Sequence, residues 1–200
     1  MSPFLNGIRL SVFPDVYEPA EDSLLLAKYS SRARGRILDM GTGCGIQALA
    51  AAKSGSATDI TGADISARAV ENAEQNANSN GARCDFLVSD LFEKISGTFD
   101  TIIFNPPYLP TSRDELTCAP LDLAWNGGED GRRVIDRFLD SFPPSLAREG
   151  KLFLLHSSLA DTEKTIRLLA QKNFRARILE EMNVGFETLS VIEAMRVPGW

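Results

Sequence analysis

The residues that folding requirements explain least are Asn105-Pro106-Pro107-Tyr108, which follow the apolar run ending in Ile103-Phe104. Two successive prolines forfeit two backbone donors and fix the path of the chain. What they leave is a rigid rim of acceptors. The Asn105 side-chain oxygen and the Pro106 carbonyl can each accept from an NH2 group, and Tyr108 can lie against its flat face. Holding both N–H bonds points the nitrogen lone pair at an electrophile, so that orientation rather than a strong base lowers the barrier. An ordinary proline-rich loop is the alternative, and the layout around the motif argues against it.

Upstream, Leu38-Asp39-Met40-Gly41-Thr42-Gly43-Cys44-Gly45-Ile46 places an acidic residue and three alternate glycines where a strand hands over to a helix. Glycines let the backbone turn tightly and approach a ligand. Nicotinamide and flavin enzymes carry G-x-G-x-x-G at this place, whereas here the spacing is G-x-G-x-G. That spacing suits S-adenosylmethionine, which has no pyrophosphate to seat on the helix N-terminus; a plain tight turn is the competing reading. Asp39, Gly41 and Gly43 are therefore candidate cofactor residues.

Asp64 lies about 20 residues beyond the glycines, where an acid meets ribose hydroxyls in nucleoside-binding α/β folds. It could instead cap the following helix, but Ser66 fills that role more naturally. Its neighbour Ile65 is counted in the same site. Asp90, in Val88-Ser89-Asp90-Leu91, could accept from an adenine amino group while Leu91 covers the ring; a solvated turn acid is the alternative.

Elements of an α/β fold must position these groups. Continuous apolar runs at 36–40, 59–63, 85–88, 101–104 and 152–155 read as buried parallel strands. Helices are expected at 46–53, 67–78, 132–146 and 162–171. In the second, Ala67, Val70, Ala73 and Ala77 are expected to share one face behind the Ser66 cap. Two further strands at 175–181 and 187–194 form a hairpin around Asn183-Val184-Gly185. Pro19 starts a helix with acids in its first turn, and residues 1–16 show no strong pattern. The list predicts one domain spanning 1–200: a Rossmann-like, seven-stranded class I methyltransferase sheet with a C-terminal antiparallel hairpin.

Composition bounds the function. With 200 residues, 44% hydrophobic and 24% charged, the chain fits one globular unit. No apolar run approaches the roughly 18 residues of a membrane span. No secretion signal or transit peptide is visible, which makes the cytoplasm the expected location. A net charge of −6 argues against extended contact with a phosphate backbone. Cys44, Cys84 and Cys118 form no C-x-x-C pair and read as reduced thiols. A lone histidine, His156, leaves no paired-histidine metal site and reads as structural; no metal is expected.

At the Asn-Pro-Pro-Tyr motif the chain resembles amino-methyltransferases of DNA bases and also the HemK-like enzymes that methylate glutamine in translation termination factors. Two stretches favour the second group. Asp15-Val16-Tyr17-Glu18-Pro19-Ala20-Glu21-Asp22-Ser23 is similar to the segment that closes over the cofactor in the short eukaryotic and archaeal release-factor glutamine methyltransferases. Residues 1–35 would form this cover, with Tyr17, Glu21 and Ser23 at the cofactor. Ala124-Trp125-Asn126-Gly127-Gly128-Glu129-Asp130-Gly131-Arg132 resembles their substrate-side loop, and Gly185-Phe186-Glu187-Thr188-Leu189-Ser190-Val191 extends the likeness to nearly the whole chain.

The resemblance implies methyl transfer from S-adenosylmethionine to the glutamine side chain of a release factor. It also implies a small zinc-binding activator protein as heterodimer partner. An edge strand at 84–88 would expose apolar side chains and unpaired backbone groups to such a partner. Methylation of adenine N6 in DNA, methylation of protein lysine, and a non-catalytic cofactor-binding module are the competing readings. The acid pI near 4.9 weighs against the first. The intact Asn105-Pro106-Pro107-Tyr108 weighs against the last.

Overall fold

The computed structural model describes residues 7–112 and 121–199, so Cys118 lies outside the described residues. Among the described residues thirteen α-helices and strands follow one another: α1 (Glu21–Ser30), β1 (Gly35–Met40), α2 (Ile46–Lys53), β2 (Ala57–Asp64), α3 (Ala67–Asn80), β3 (Asp85–Val88), β4 (Phe99–Phe104), α4 (Asp122–Trp125), α5 (Arg133–Ser141), β5 (Leu146–Ser157), α6 (Thr162–Gln171), β6 (Phe174–Val184) and β7 (Glu187–Arg196). The seven strands form one sheet in the order β3-β2-β1-β4-β5-β7-β6. The first five pair in parallel, and β7 inserts antiparallel between β5 and β6.

The chain reverses direction across the sheet between β1 and β4, so the carboxyl ends of β1, β2 and β4 open onto one crevice. Ligands bind at such a switch point in open α/β sheets. On one face Phe104, Phe138, Phe142 and Phe174 build a continuous aromatic core with α5 and α6. On the other, Leu26, Ile37, Ala48, Ile103, Phe153 and Leu155 pack under α1 and α2. No helix among the described residues is long and apolar enough to cross a membrane.

Three expectations need correction. The helix predicted over 132–146 ends at Ser141, because Pro143 and Pro144 supply no backbone donors; a short 3-10 turn at Pro143–Ser145 leads into β5. On α3, Ala67 is exposed, and the buried face consists of Ala69, Val70, Asn72, Ala73, Asn76 and Ala77. Strand β3 is half-exposed rather than buried on both faces, as befits the sheet edge. Ser66 caps α3 as expected, its hydroxyl accepting from Ala69 N–H.

His156 sits fully buried in β5. Its Nε2 lies 2.8 Å from Thr165 Oγ1 and its Nδ1 3.1 Å from Thr162 Oγ1, contacts that tie β5 to α6. Burial pushes its pKa down to about 4, so the ring is neutral and structural.

Candidate active site

A cavity of about 410 Å³ opens at the switch point. Most of the expected residues meet there: Tyr17, Ser23, Gly41, Gly43, Asp64, Ile65, Asp90, Leu91 and the whole of Asn105-Pro106-Pro107-Tyr108 line it. Two expected residues do not. Glu21 is exposed outside the cavity, and its place is taken by the next residue, Asp22. Asp39 is fully buried behind the glycine loop instead of lining the cavity.

Asp39 acts on the loop from behind. Its Oδ2 accepts from Thr42 Oγ1 (2.7 Å) and Ala48 N–H (3.0 Å), joining the end of β1 to the glycine turn and the first turn of α2. Its Oδ1 is buried with no hydrogen-bond partner. Burial raises the pKa to about 7 despite the two bonds, which favour the ionised form. Gly41 has φ +63°, and a Cβ there would press to 3.2 Å from the Phe104 ring, so only glycine lets the loop lie this close to the end of β4.

Asp64, at the end of β2, accepts from Gly43 N–H and from Ser66 N–H, both at 2.9 Å. Burial raises its pKa. Its carboxylate thus fixes the turn from one side while lining the cavity. Asp90 accepts from the Arg137 guanidinium at 2.9 Å, an ion pair that sets its position at the far end. Leu91 beside it adopts φ +45°, an unusual conformation for a side chain of this size.

The end of the cavity at Asn105 is organised around Asp22, which sequence reasoning did not place in the site. Its carboxylate is 4% exposed and accepts from Tyr17 Oη (3.1 Å), from Ser23 and from Asn105 Nδ2 (2.9 Å). Because the NH2 end of Asn105 is held by a carboxylate, its Oδ1 is the remaining acceptor. That oxygen is buried and has no partner in the protein. Burial and the charge of Asp22 push the hydroxyl pKa of both Tyr17 and Tyr108 upward, keeping the phenols protonated. No group of three metal-type ligands occurs among the described residues.

The 124–132 loop is bonded by backbone to the segment that follows the motif. Leu109 N–H donates to Trp125 O (3.0 Å), Gly127 N–H to Leu109 O (2.9 Å) and Thr111 N–H to Gly128 O (2.8 Å). Gly131, at φ +73°, passes so close that a Cβ would fall 2.3 Å from the Tyr108 carbonyl. The loop's other end is anchored by Arg132, whose buried guanidinium reaches Asp136 (2.6 Å), Thr165 (3.0 Å) and the Asp161 carbonyl (3.0 Å). Leu123, Trp125 and Arg133 from this region also line the cavity.

Residues 20–119 match the Methyltransferase small domain family. The chain belongs to this family. Among relatives of this methyltransferase, a protein from Methanocaldococcus jannaschii named as a putative protein N5-glutamine methyltransferase is 44% identical over 194 residues, covering 96% of this chain and 98% of the relative. Human methyltransferase HEMK2 is 29% identical, covering 96% and 95%. Of solved structures, the Mtq2 subunit of the E. cuniculi Mtq2–Trm112 complex, described as responsible for methylating the termination factor eRF1, superimposes with a TM-score of 0.71 at 28% identity. That match covers 92% of this chain and 99% of Mtq2. These matches span the sheet and the C-terminal strands, in line with the expected seven-stranded class I architecture.

Proposed function

We propose that this chain transfers a methyl group from S-adenosylmethionine to the side-chain amide nitrogen of a glutamine in a translation release factor. The observation that carries the reading is the Asn105 amide, whose NH2 end is held by Asp22 at 2.9 Å and whose buried Oδ1 has no partner. A buried acceptor without a donor is costly, by about 1–3 kcal/mol, unless a ligand supplies one. The NH2 of a glutamine amide is such a donor.

The lining fits the cofactor. Asp64 can accept from ribose hydroxyls, Asp90 from the adenine amino group, and Leu91 and Ile65 can cover the base. Gly41 and Gly43 bring backbone close to the methionine portion, and Tyr17 and Ser23 lie on the same side of the cavity. When bound, S-adenosylmethionine supplies a methyl carbon made electrophilic by its sulfonium. The chain does the rest by orientation. Asn105 Oδ1 and the Pro106 carbonyl accept the two N–H bonds of the substrate amide, Pro107 stiffens the rim, and Tyr108 packs against the amide plane. With the cofactor bound, the amide nitrogen held on this rim would take the methyl carbon, the sulfonium would leave as the neutral thioether, and the surplus N–H proton would pass to solvent. Asp22, one hydrogen bond removed, acts through Asn105, holding its NH2 end so that Oδ1 faces the substrate amide.

The relatives support the substrate, since the M. jannaschii protein, similar over nearly its whole length, is named a putative protein N5-glutamine methyltransferase and Mtq2 is described with eRF1. The same neighbour supports a small activator partner, which we take to be zinc-binding. Its natural seat is the free edge of β3, where Phe86 and Leu87 are half-exposed. The cytoplasm, where release factors act, is the expected compartment.

Asn105→Ala tests the reading. Cofactor affinity should change by less than about threefold. Turnover on the release factor should fall about 10²–10³-fold, the usual cost of losing a preorganised polar contact at the reacting group. Asn105→Asp should keep cofactor binding and recover only part of the rate, since its charge sits beside Asp22 and favours the sulfonium ground state. Parental rates in both variants would exclude the rim from the reaction.

A further inference from the structure

Residues 9–13 belong to no helix or strand, yet they are held along α3 by side-chain amides. Asn80 Oδ1 accepts from Arg9 N–H (2.9 Å) and its Nδ2 donates to Arg9 O (2.7 Å). Asn76 repeats the pattern on Ser11, accepting from its N–H and donating to its carbonyl, both at 2.9 Å. Asn72 accepts from Phe13 N–H (3.0 Å) and donates to Ser11 O (2.7 Å). The segment runs antiparallel to the helix, and the spacings match. Four residues of α-helix advance about 6.0 Å, two residues of extended chain about 6.6 Å, so amides at 72, 76 and 80 serve every second residue.

Two features show that these asparagines serve more than packing. Asparagine is a poor helix former, so three on one face of α3 work against the helix's own stability. Asn76, 1% exposed, also donates through Nδ2 to Cys44 O at 2.9 Å, a carbonyl of the glycine loop. One side chain therefore ties the strap to the loop at the cofactor cavity. Ile8 and Leu10 pack inward with Ile46, Leu49, Ala69 and Ala77. The strap continues directly into Asp15, Val16 and Tyr17, which line the cavity. Arg68 of α3 pins the junction, 3.3 Å from Asp15 and 4.4 Å over the Phe13 ring.

We infer that Asn72 and Asn76 are positioning residues for cofactor retention: they clamp the 9–13 strap, and through it Asp15–Tyr17, against the glycine loop. The inference rests on the methyltransferase reading of the cavity. Releasing a rung frees the strap without touching a cavity-lining side chain, so the bound cofactor should escape faster while the sheet stays intact.

The test is the dissociation rate of S-adenosylmethionine by stopped flow, together with amide hydrogen exchange. Asn76→Ala and Asn72→Ala should each speed release at least tenfold and accelerate exchange at 9–17, with protection in β4 and β5 retained. Asn76→Asp keeps the acceptor for Ser11 N–H and loses both donated bonds, so it should release as fast as the alanine variant; it carries the test if Asn76→Ala does not fold. Leu169→Ala, in the core on the opposite face of the sheet, is compared at temperatures giving equal residual stability and should stay within twofold of the parent. Unchanged release in the folded asparagine variants, or equal acceleration in Leu169→Ala, would overturn the positioning role. Failure of the parent chain to bind S-adenosylmethionine would overturn the cofactor reading instead, and exchange at 9–17 still reports on the clamp.

Discussion

Asp22 is expected to act on the reaction through Asn105, and the size of its effect follows from one bond. Asn105 Nδ2 donates to the Asp22 carboxylate at 2.9 Å in a buried setting. In Asp22→Ala the NH2 end of Asn105 loses its acceptor, and the amide gains by turning that end towards the cavity. The orientation that offers Oδ1 to the substrate is then disfavoured by about 1–3 kcal/mol, the cost of a buried unpaired donor. Turnover at saturating cofactor should therefore fall roughly 10- to 100-fold. The assay is methyl transfer to the release factor by Asp22→Ala, Asn105→Ala and the double variant. If Asp22 works by orienting Asn105, the double variant should be no slower than Asn105→Ala alone, a strongly non-additive cycle. Rate losses that multiply would refute the reasoning and assign Asp22 an independent role.

Asp64→Ala should weaken S-adenosylmethionine binding by about 1.5–3 kcal/mol in calorimetric titration, the scale of hydrogen bonds to a charged group. Unchanged affinity in the folded variant would remove Asp64 from the site. Two buried groups should give opposing pH dependences in the same range. His156, lowered to about 4, contributes stability present above pH 6.5 and lost as pH falls towards 4. Asp39, raised to about 7, contributes stability present below its unfolded value of 3.8 and lost as pH rises to 7. Denaturant titrations of Asp39→Asn should accordingly show a gain over the parent that grows from pH 4 to 7 by roughly 4 kcal/mol, at 1.36 kcal/mol per pKa unit. A gain independent of pH would contradict the buried-carboxyl assignment. Co-expression with a small zinc-binding activator should raise solubility and thermal stability through cover of β3, and replacing Phe86 by Asp should abolish the gain. A fully active, stable chain without it would count against the partner.

The elements were legible where local chemistry decides them. Helix α2 begins where the glycine turn ends, and α6 begins at Asp161, whose side chain accepts from Lys164 N–H; both bounds follow from sequence. The end of α5 was legible in principle, since Pro143-Pro144 stops a helix, but the apolar period carries on to Leu146 and masks it. The strap at 9–13 was not legible, because its partners are amides 59 to 71 residues away that read as ordinary polar positions of a surface helix. Asp22 was hidden for a related reason. Beside Glu21 it reads as a second acid complementing the start of α1, and only the fold brings it to Asn105, 83 residues on. Asp39 shows the reverse case: the motif placed it at the cofactor, while burial places it behind the loop it supports.

The most direct test of the central claim is to locate the methyl group. The chain, with its activator, is incubated with S-adenosylmethionine and a release factor, and the product is fragmented in the mass spectrometer. The amide-orienting rim around Asn105 predicts one methyl on the side-chain nitrogen of a single glutamine, abolished when that glutamine is replaced. A methyl found on lysine, or transfer to duplex DNA with none to the release factor, would contradict it.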